Sequence, residues 1–441
     1  MRRRLMLALL PPLALVLVQQ QLLLRLPPRL EALEAAAASA GPAALRARFS
    51  RPMRREEVAA ASRLSPTLPH RWLGEGDTLS LSLTGQGAVR GPVALRIGGR
   101  DQRGQALAVR PWVWDPRGRV LAVVPSAGGE RLELRDHSGR WWPISPTWPR
   151  VMAIEPLGDG GGVAVVSADA SGLQQAWRIG LRQWNLAPPA QASRRPEAGA
   201  PQRLGADGRL FVHLSSDRSG QLLVQSGGAR PGSERTELWP RRGLPSRLAL
   251  RAGGPLRLLP EGGAVVVPEA EGLSLRTLPP RPAGRQVLPG SRDLSSFCPQ
   301  AGRALLLRHW PDYRRSLELV EPGLPPRQLW IGSQAALASA CERGGQRVWV
   351  LLAEASGEPR LTLLALDRLG RLLGRRELRG WQLEPDTGLA FDPGSASLLT
   401  SLRRQSRGPR GDGEAVLIDA DSLELRGLGR PVLQTAWLPP G

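Results

Sequence analysis

Lysine is missing from the 441 residues; all 60 basic residues are arginine, and asparagine occurs once, at Asn185. That skew matches a GC-rich coding sequence, so part of the net charge of +21 is compositional. The field is physical all the same, and a basic surface attracts polyanions. The arginines are dispersed, with doublets at 54–55, 194–195, 241–242, 314–315, 375–376 and 403–404. No stripe interleaves them with aromatic rings, which argues against a nucleic-acid groove. Cysteine is scarce, only Cys298 and Cys341, and four histidines lie scattered at 70, 137, 213 and 309 without ligand spacing. A zinc site is therefore not expected, and no metal or cofactor is assigned. The sequence has no G-x-S-x-G, H-E-x-x-H, P-loop or CxxC motif. "GDGGG" (158–162) and "DAD" (419–421) lack the alternating acids of a calcium shell and read as turns. "RGD" (410–412) is explained by the abundance of Arg and Gly.

Gly (51) and Pro (42) are plentiful, and clean helical periodicity is absent after residue 65. Together these point to an all-β chain of short strands and many turns. The exception is the beginning. "MRRRLMLALLPPLALVLVQQQLLLRLPP" carries three arginines and then an apolar run from Leu5 to Val18, resumed at Leu22 to Leu24. A helix over 5–24 would reach roughly 30 Å, enough to cross a bilayer. The first cluster of small residues, "AAAASAG" at 35–41, lies too far on for a signal peptidase. An uncleaved transmembrane helix, with the N-terminus in the cytoplasm and the body extracytoplasmic, is favoured over secretion after signal cleavage. Residues 1–28 are assigned to this anchor and 29–44 to a helical stalk.

From Leu45 the text turns to strands. "FSRPM" (49–53), the segment from "SP" at 65 to "GDTLSL" ending at 81, and "IGGRDQRGQAL" (97–107) resemble, in order and spacing, the bacterial Ig-like domain family of S-layer-associated and other cell-surface proteins. The resemblance covers residues 45–109 and implies a small β-sandwich that acts as a spacer or accessory module. Arg51 stands where the family often has an acid, which removes support for a calcium role of Asp101.

Beyond it one phrase recurs: an apolar entry, a turn with Gly, then a Val/Leu run. "WDPRGRVLAVV" (114–124) is echoed at 154–167, 204–216, 258–267, 297–307, 340–352 and, as "FDPGSASLLTSL", at 391–402. The turn glycines are Gly118, Gly161, Gly208, Gly262, Gly302, Gly345 and Gly394, spaced on average about 46 residues apart, the period of a β-propeller. Seven blades over 110–441 follow, each Val/Leu run forming an inner edge, with "RPVLQTAWL" (430–438) left to close the ring against blade 1. Six or eight blades, or an irregular sandwich, stay open. The phrases resemble those of TolB-type propellers, which implies fold rather than activity. The whole order resembles membrane-anchored bacterial envelope proteins.

The cysteines occupy equivalent places in adjacent units and either form a disulfide or stand as two free thiols. His309, Trp310, Tyr313, Arg314 and Arg315, in "RHWPDYRR", are the best candidates for ligand or partner contact. His213 and Asp115 read as structural. The trptophan cluster 112, 114, 141, 142 and 148 reads mainly as core. The expected function is a non-catalytic envelope binding or scaffold protein, its partners an envelope protein, anionic lipid or acidic glycan. The rival is a propeller hydrolase or lyase acting on envelope glycan or peptide in the channel mouth.

Overall fold

The computed structural model describes residues 26–440 except 37, 39–40, 86, 231, 299–301, 343, 355–359 and 406–412. No helix among the described residues is long and apolar enough to cross a membrane. This corrects the fold class expected above: the transmembrane helix is not found, and the span 5–24 assigned to it lies outside the described residues, as does the "RGD" triplet. The helical stalk is also corrected. Leu30–Ala36 is a strand, paired antiparallel with Ala44–Phe49. Helix propensity in "LEALEAA" yields to the sandwich edge, on which Leu30 and Leu33 pack against buried neighbours.

Two sheets form the N-terminal sandwich. In one, Ala44–Phe49 lies between Leu30–Ala36 and Thr78–Leu83, with His70–Leu73 on the far side. In the other, Val93–Ile97 lies between Arg63–Ser65 and Arg110–Trp114. The strict alternation of Val93, Leu95 and Ile97 turns these side chains onto Leu45, Ala47, Phe49, Leu79 and Leu81. Burial of each such aliphatic chain is worth about 1.5–3 kcal/mol. Gly99 is required where it stands: its φ is +129°, and a Cβ would come within 2.7 Å of the Val58 side chain in the helix Arg55–Ala61. Asp101 is buried, and its Oδ1 accepts the Arg103 and Gln105 amides, so it fixes a turn.

Seven antiparallel sheets follow in chain order and make a β-propeller. Blades 2 to 7 begin with Arg150–Pro156, Phe211–Ser216, Arg257–Leu258, Arg292–Phe297, Ala335–Cys341 and, in blade 7, Trp381–Leu383 with Ala390–Asp392. Blade 1 is built from both ends of the ring: Arg119–Ser126, Gly129–Arg135 and Trp141–Pro143 are completed by the C-terminal strand Gln434–Leu438. Six of the seven Val/Leu runs are thus second strands, not inner edges; the run within 204–216 is Phe211–Ser216, the first strand of blade 3. The second strands carry the longest apolar runs because neighbouring blades cover both of their faces; Gly162–Ala168 is buried at every position. One repeat was mis-set as well. Gly208 lies in Gln202–Arg209, at the end of blade 2, and the blade-3 turn glycine is Gly220. The displacement comes from the segment 183–201, inserted between the third and fourth strands of blade 2.

Separate apolar clusters fill the seams between blades 1 and 2, 2 and 3, 3 and 4, 5 and 6, 6 and 7, and 7 and 1. Among the described residues the seam between blades 4 and 5 has no separate cluster; on the face of blade 5 toward blade 4, Glu318 pairs with Arg292 and Arg308. At the seam of blades 7 and 1 the two ends of the repeat meet. A Cβ on Gly394 would lie 2.5 Å from the Pro116 carbonyl, and the Gly118 amide donates to Asp392 Oδ2 at 3.2 Å.

The insertion of blade 2 ties the sandwich to the ring. Leu186–Ala187 pairs with Arg110–Trp114 and extends the sandwich sheet. The chain's one asparagine is buried here: Asn185 donates to Gln183 Oε1, and its carbonyl accepts the Asp115 amide at 2.7 Å. Gln183 in turn donates to the carbonyls of Gly160 and Pro439. Trp184, at φ +61°, lies under the guanidinium of Arg182 at 3.7 Å.

Candidate functional site

The residues proposed for contact come together on one hairpin tip in blade 5, between Ala304–His309 and Arg315–Val320. The Tyr313 amide donates to the Trp310 carbonyl at 3.0 Å, and the Trp310 amide donates to the Arg314 carbonyl at 3.0 Å. Trp310 Nε1 donates to Ser316 Oγ, and the Arg308 guanidinium stacks 3.8 Å over its ring. Arg314 Nε donates to Asp312 Oδ2 at 2.7 Å, which holds the Asp312 carboxyl below its ordinary range. His309 Nε2 sits 2.7 Å from Asp293 Oδ2 on the first strand of the same blade. Arg315 is a ladder residue opposite His309 and Gly332. Tyr313 points outward, 91% exposed at φ +65°. The tip is mostly self-engaged and offers one aromatic ring to a partner.

Sequence reasoning passed over a second histidine–carboxylate pair. His137 Nε2 lies 3.5 Å from Asp115 Oδ2 where the sandwich meets blade 1. Asp115 also accepts Arg117 Nε at 2.9 Å, Arg117 Nη2 at 2.7 Å and the Arg117 amide. Burial pushes this carboxyl up, but the Arg117 hydrogen bonds and the nearby positive charges outweigh it and hold Asp115 low. Burial, with Arg117 and Arg119 adding to it, pushes His137 down to about 4. A neutral imidazole and an arginine-saturated carboxylate make a poor proton relay and a good structural brace. Nothing in "WDPRG" or "RDHSGR" signals this pair, because the two turns are adjacent only in space.

His137 gives the chain an acid sensitivity. In the unfolded chain it titrates near 6.5 and in the folded protein near 4. Between those values the unfolded state binds the extra proton, so the contribution is complete above pH 6.5 and is lost as pH falls toward 4. Full loss corresponds to about 3 kcal/mol. Urea unfolding across this window is expected to show the slope in the native chain and a flatter profile in His137→Gln. Equal slopes would show that His137 is not the group responsible.

The channel wall holds a third set, from three consecutive blades. Glu155 ends the first strand of blade 2, and its Oε1 accepts the Ser216 amide at 2.8 Å. Burial raises its pKa against the pull of Arg257. His213, in the first strand of blade 3, is lowered by burial and by the same arginine. Arg257 in blade 4 donates to the Leu214 carbonyl at 3.1 Å. This wall offers one carboxylate and one guanidinium. Across the ring, Ser295 and Ser296 both reach Ser339 Oγ, at 2.7 and 2.9 Å.

Cys298 and Cys341 are joined by a disulfide across blades 5 and 6. No group of three or more metal-ligating side chains is found among the described residues.

No protein-family model and no curated protein sequence matches the chain. Solved structures of similar trace include TolB from Acinetobacter baumannii, at 12% identity and TM-score 0.41, covering 79% of each chain. The periplasmic gluconolactonase of Pseudomonas aeruginosa matches at 15% identity and TM-score 0.45, over 74% of this chain and all of its own. AztD from Citrobacter koseri matches at 10% identity and TM-score 0.47, over 73% of this chain and 98% of its own. At such identities and TM-scores these likenesses lend weight to no activity; the ring rests on its own strand pairings.

Proposed function

We propose that this chain is a non-catalytic binding or scaffold protein of an extracytoplasmic compartment, with the propeller as its interaction platform. One observation carries this reading: the sandwich occupies only part of one ring face. It rests on the turns of blades 7, 1 and 2, through Val89 on the Gly394 carbonyl, Arg117 on the Arg90 carbonyl, and the added strand Leu186–Ala187. Among the described residues, the turns of this end in blades 3, 5 and 6 carry the exposed Leu244, Leu324 and Leu369. The disulfide supports an oxidising location, since such bonds rarely persist in a reducing cytosol. The rival hydrolase or lyase reading would draw on the channel wall, where Glu155 is the acid best placed by its raised pKa.

Isolated cell envelopes separate the two readings. The purified chain is expected to bind them saturably and to release neither reducing sugar nor new amino groups. Release that disappears in Glu155→Gln would establish the enzyme instead, and the absence of saturable binding would remove the platform.

A further inference from the structure

In an antiparallel blade the turn joining the first two strands and the turn joining the last two lie at the same end. The sandwich touches turns of this end in blades 7, 1 and 2, so the last turns of blades 3 to 6 share its ring face. Their sequences have one character: "PRRGLPSR" (240–247), "PPRPAGR" (279–285), "EPGLPPR" (321–327) and "DRLGRLL" (367–373). Each pairs arginine with apolar residues at the tip of the turn. Leu244 is 90% exposed, Leu324 51%, and Leu369, Leu372 and Leu373 between 55% and 59%. Arg241, Arg242, Arg281 and Arg371 are exposed beside them. The two acids of these turns are already taken: Glu321 by Arg303 and Arg368, Asp367 by Arg371. The Arg368–Glu321 bond, 2.6 Å long, also ties the tips of blades 5 and 6 side by side, with a shallow arginine-lined cleft between them.

Exposed leucines on several convex tips, ringed by cations, suit a partner that needs no matching shape. We infer that the open turns of blades 3 to 6 dock this face onto an anionic lipid surface, the leucines entering the interface and the arginines meeting phosphate headgroups. Leucine side chains and guanidinium groups are what interfacial binding to anionic bilayers uses, and neither alone holds a protein there strongly. A folded acidic protein would need an apolar groove to receive the leucines, whereas the cleft here is lined by arginine and Leu244, Leu324 and Leu369 stand on turns. The inference rests on the platform reading and names its partner.

The native cysteines are paired, so a single introduced thiol can be labelled in the full chain with an environment-sensitive fluorophore. With the label at Leu369→Cys, phosphatidylglycerol vesicles are expected to shift emission to the blue, and phosphatidylcholine vesicles are not. A label at Tyr313→Cys, on the opposite face of blade 5, is expected to stay in water. Adding Arg242→Glu and Arg281→Glu should raise the lipid needed for half the shift by about tenfold or more. The inference fails if the Leu369 label does not respond to phosphatidylglycerol, or responds equally to both lipids. It also fails if the Tyr313 label responds as strongly, or if polyglutamate produces the Leu369 shift and vesicles do not. Saturable envelope binding with the Leu369 label still in water would remove the lipid and leave the platform.

Discussion

A chain ending at Val432 is expected to lose the cooperative folding of its ring. The nine residues removed contain the strand Gln434–Leu438, which supplies the first strand of blade 1 and pairs with Arg119–Val123. They also hold three blades together. Gln434 Nε2 donates to the Met152 carbonyl in blade 2, Thr435 Oγ1 meets Ser401 Oγ in blade 7, and Trp437 Nε1 donates to the Ala390 carbonyl in blade 7. Leu438 is fully buried and Leu433 nearly so, both against Leu121, Val123 and the first strands of blade 2. Burial of these two leucines alone contributes about 3–6 kcal/mol, and the ladder bonds add to it. The exposed edge left behind would be a template for self-association. Calorimetry should show a midpoint lower by about 10 °C or more, or no single transition, with rapid proteolysis in blade 1. Leu438→Ala tests the same joint more gently, at about 2–5 kcal/mol. A truncated chain that melts within a degree or two of the full one would mean that the ring does not depend on this closure.

How far the ring was legible before any coordinates depended on what the sequence repeats. Six of the seven Val/Leu runs are legible because a second strand covered on both faces must be apolar throughout. The first strands are not, because they face the channel on one side and mix polar with apolar residues, as in "RDLSSF"; only "FVHLSS" enters the repeat, in place of the second strand of blade 3. The runs were therefore mistaken for inner edges. The blade-2 insertion, which carries Asn185 and the strand that joins the sandwich, has no periodicity and only displaced the glycine count. The stalk failed for a local reason: alanine and glutamate favour a helix, but pairing with Ala44–Phe49 overrides the preference. Contact residues in blade 5 could be gathered because they are contiguous in sequence. His137 with Asp115, and Glu155 with His213 and Arg257, are brought together only by the ring. The arginine–leucine turns lie in plain text, but their common face becomes apparent only once the blades are set around an axis and the sandwich is placed against blades 7, 1 and 2.

The disulfide supplies the second large expected effect. It joins Cys298, just after the first strand of blade 5, to Cys341 at the end of the first strand of blade 6, closing a loop of 43 residues. In the chain-entropy account, a loop of this length restricts the unfolded state by about 4 kcal/mol. The position magnifies the consequence. Among the described residues blade 5 meets blade 4 without a separate apolar cluster, so its hold on the ring comes mainly from blade 6, through the cluster of Leu305, Leu317, Leu319, Val348 and Val350 in which both cysteines sit. The double variant Cys298→Ala, Cys341→Ala is therefore expected to unfold at a midpoint lower by about 5 °C or more, with blade 5 the first element to gain hydrogen exchange. Reductant should reproduce the loss in the native chain and leave the variant unchanged, and non-reducing mass spectrometry should find the two peptides linked. Equal midpoints for the oxidised native chain and the variant would show that the bond constrains nothing the ring does not already hold. Faster exchange in blades 1 and 2 rather than in blade 5 would place the weakest joint at the closing strand and not at the polar seam.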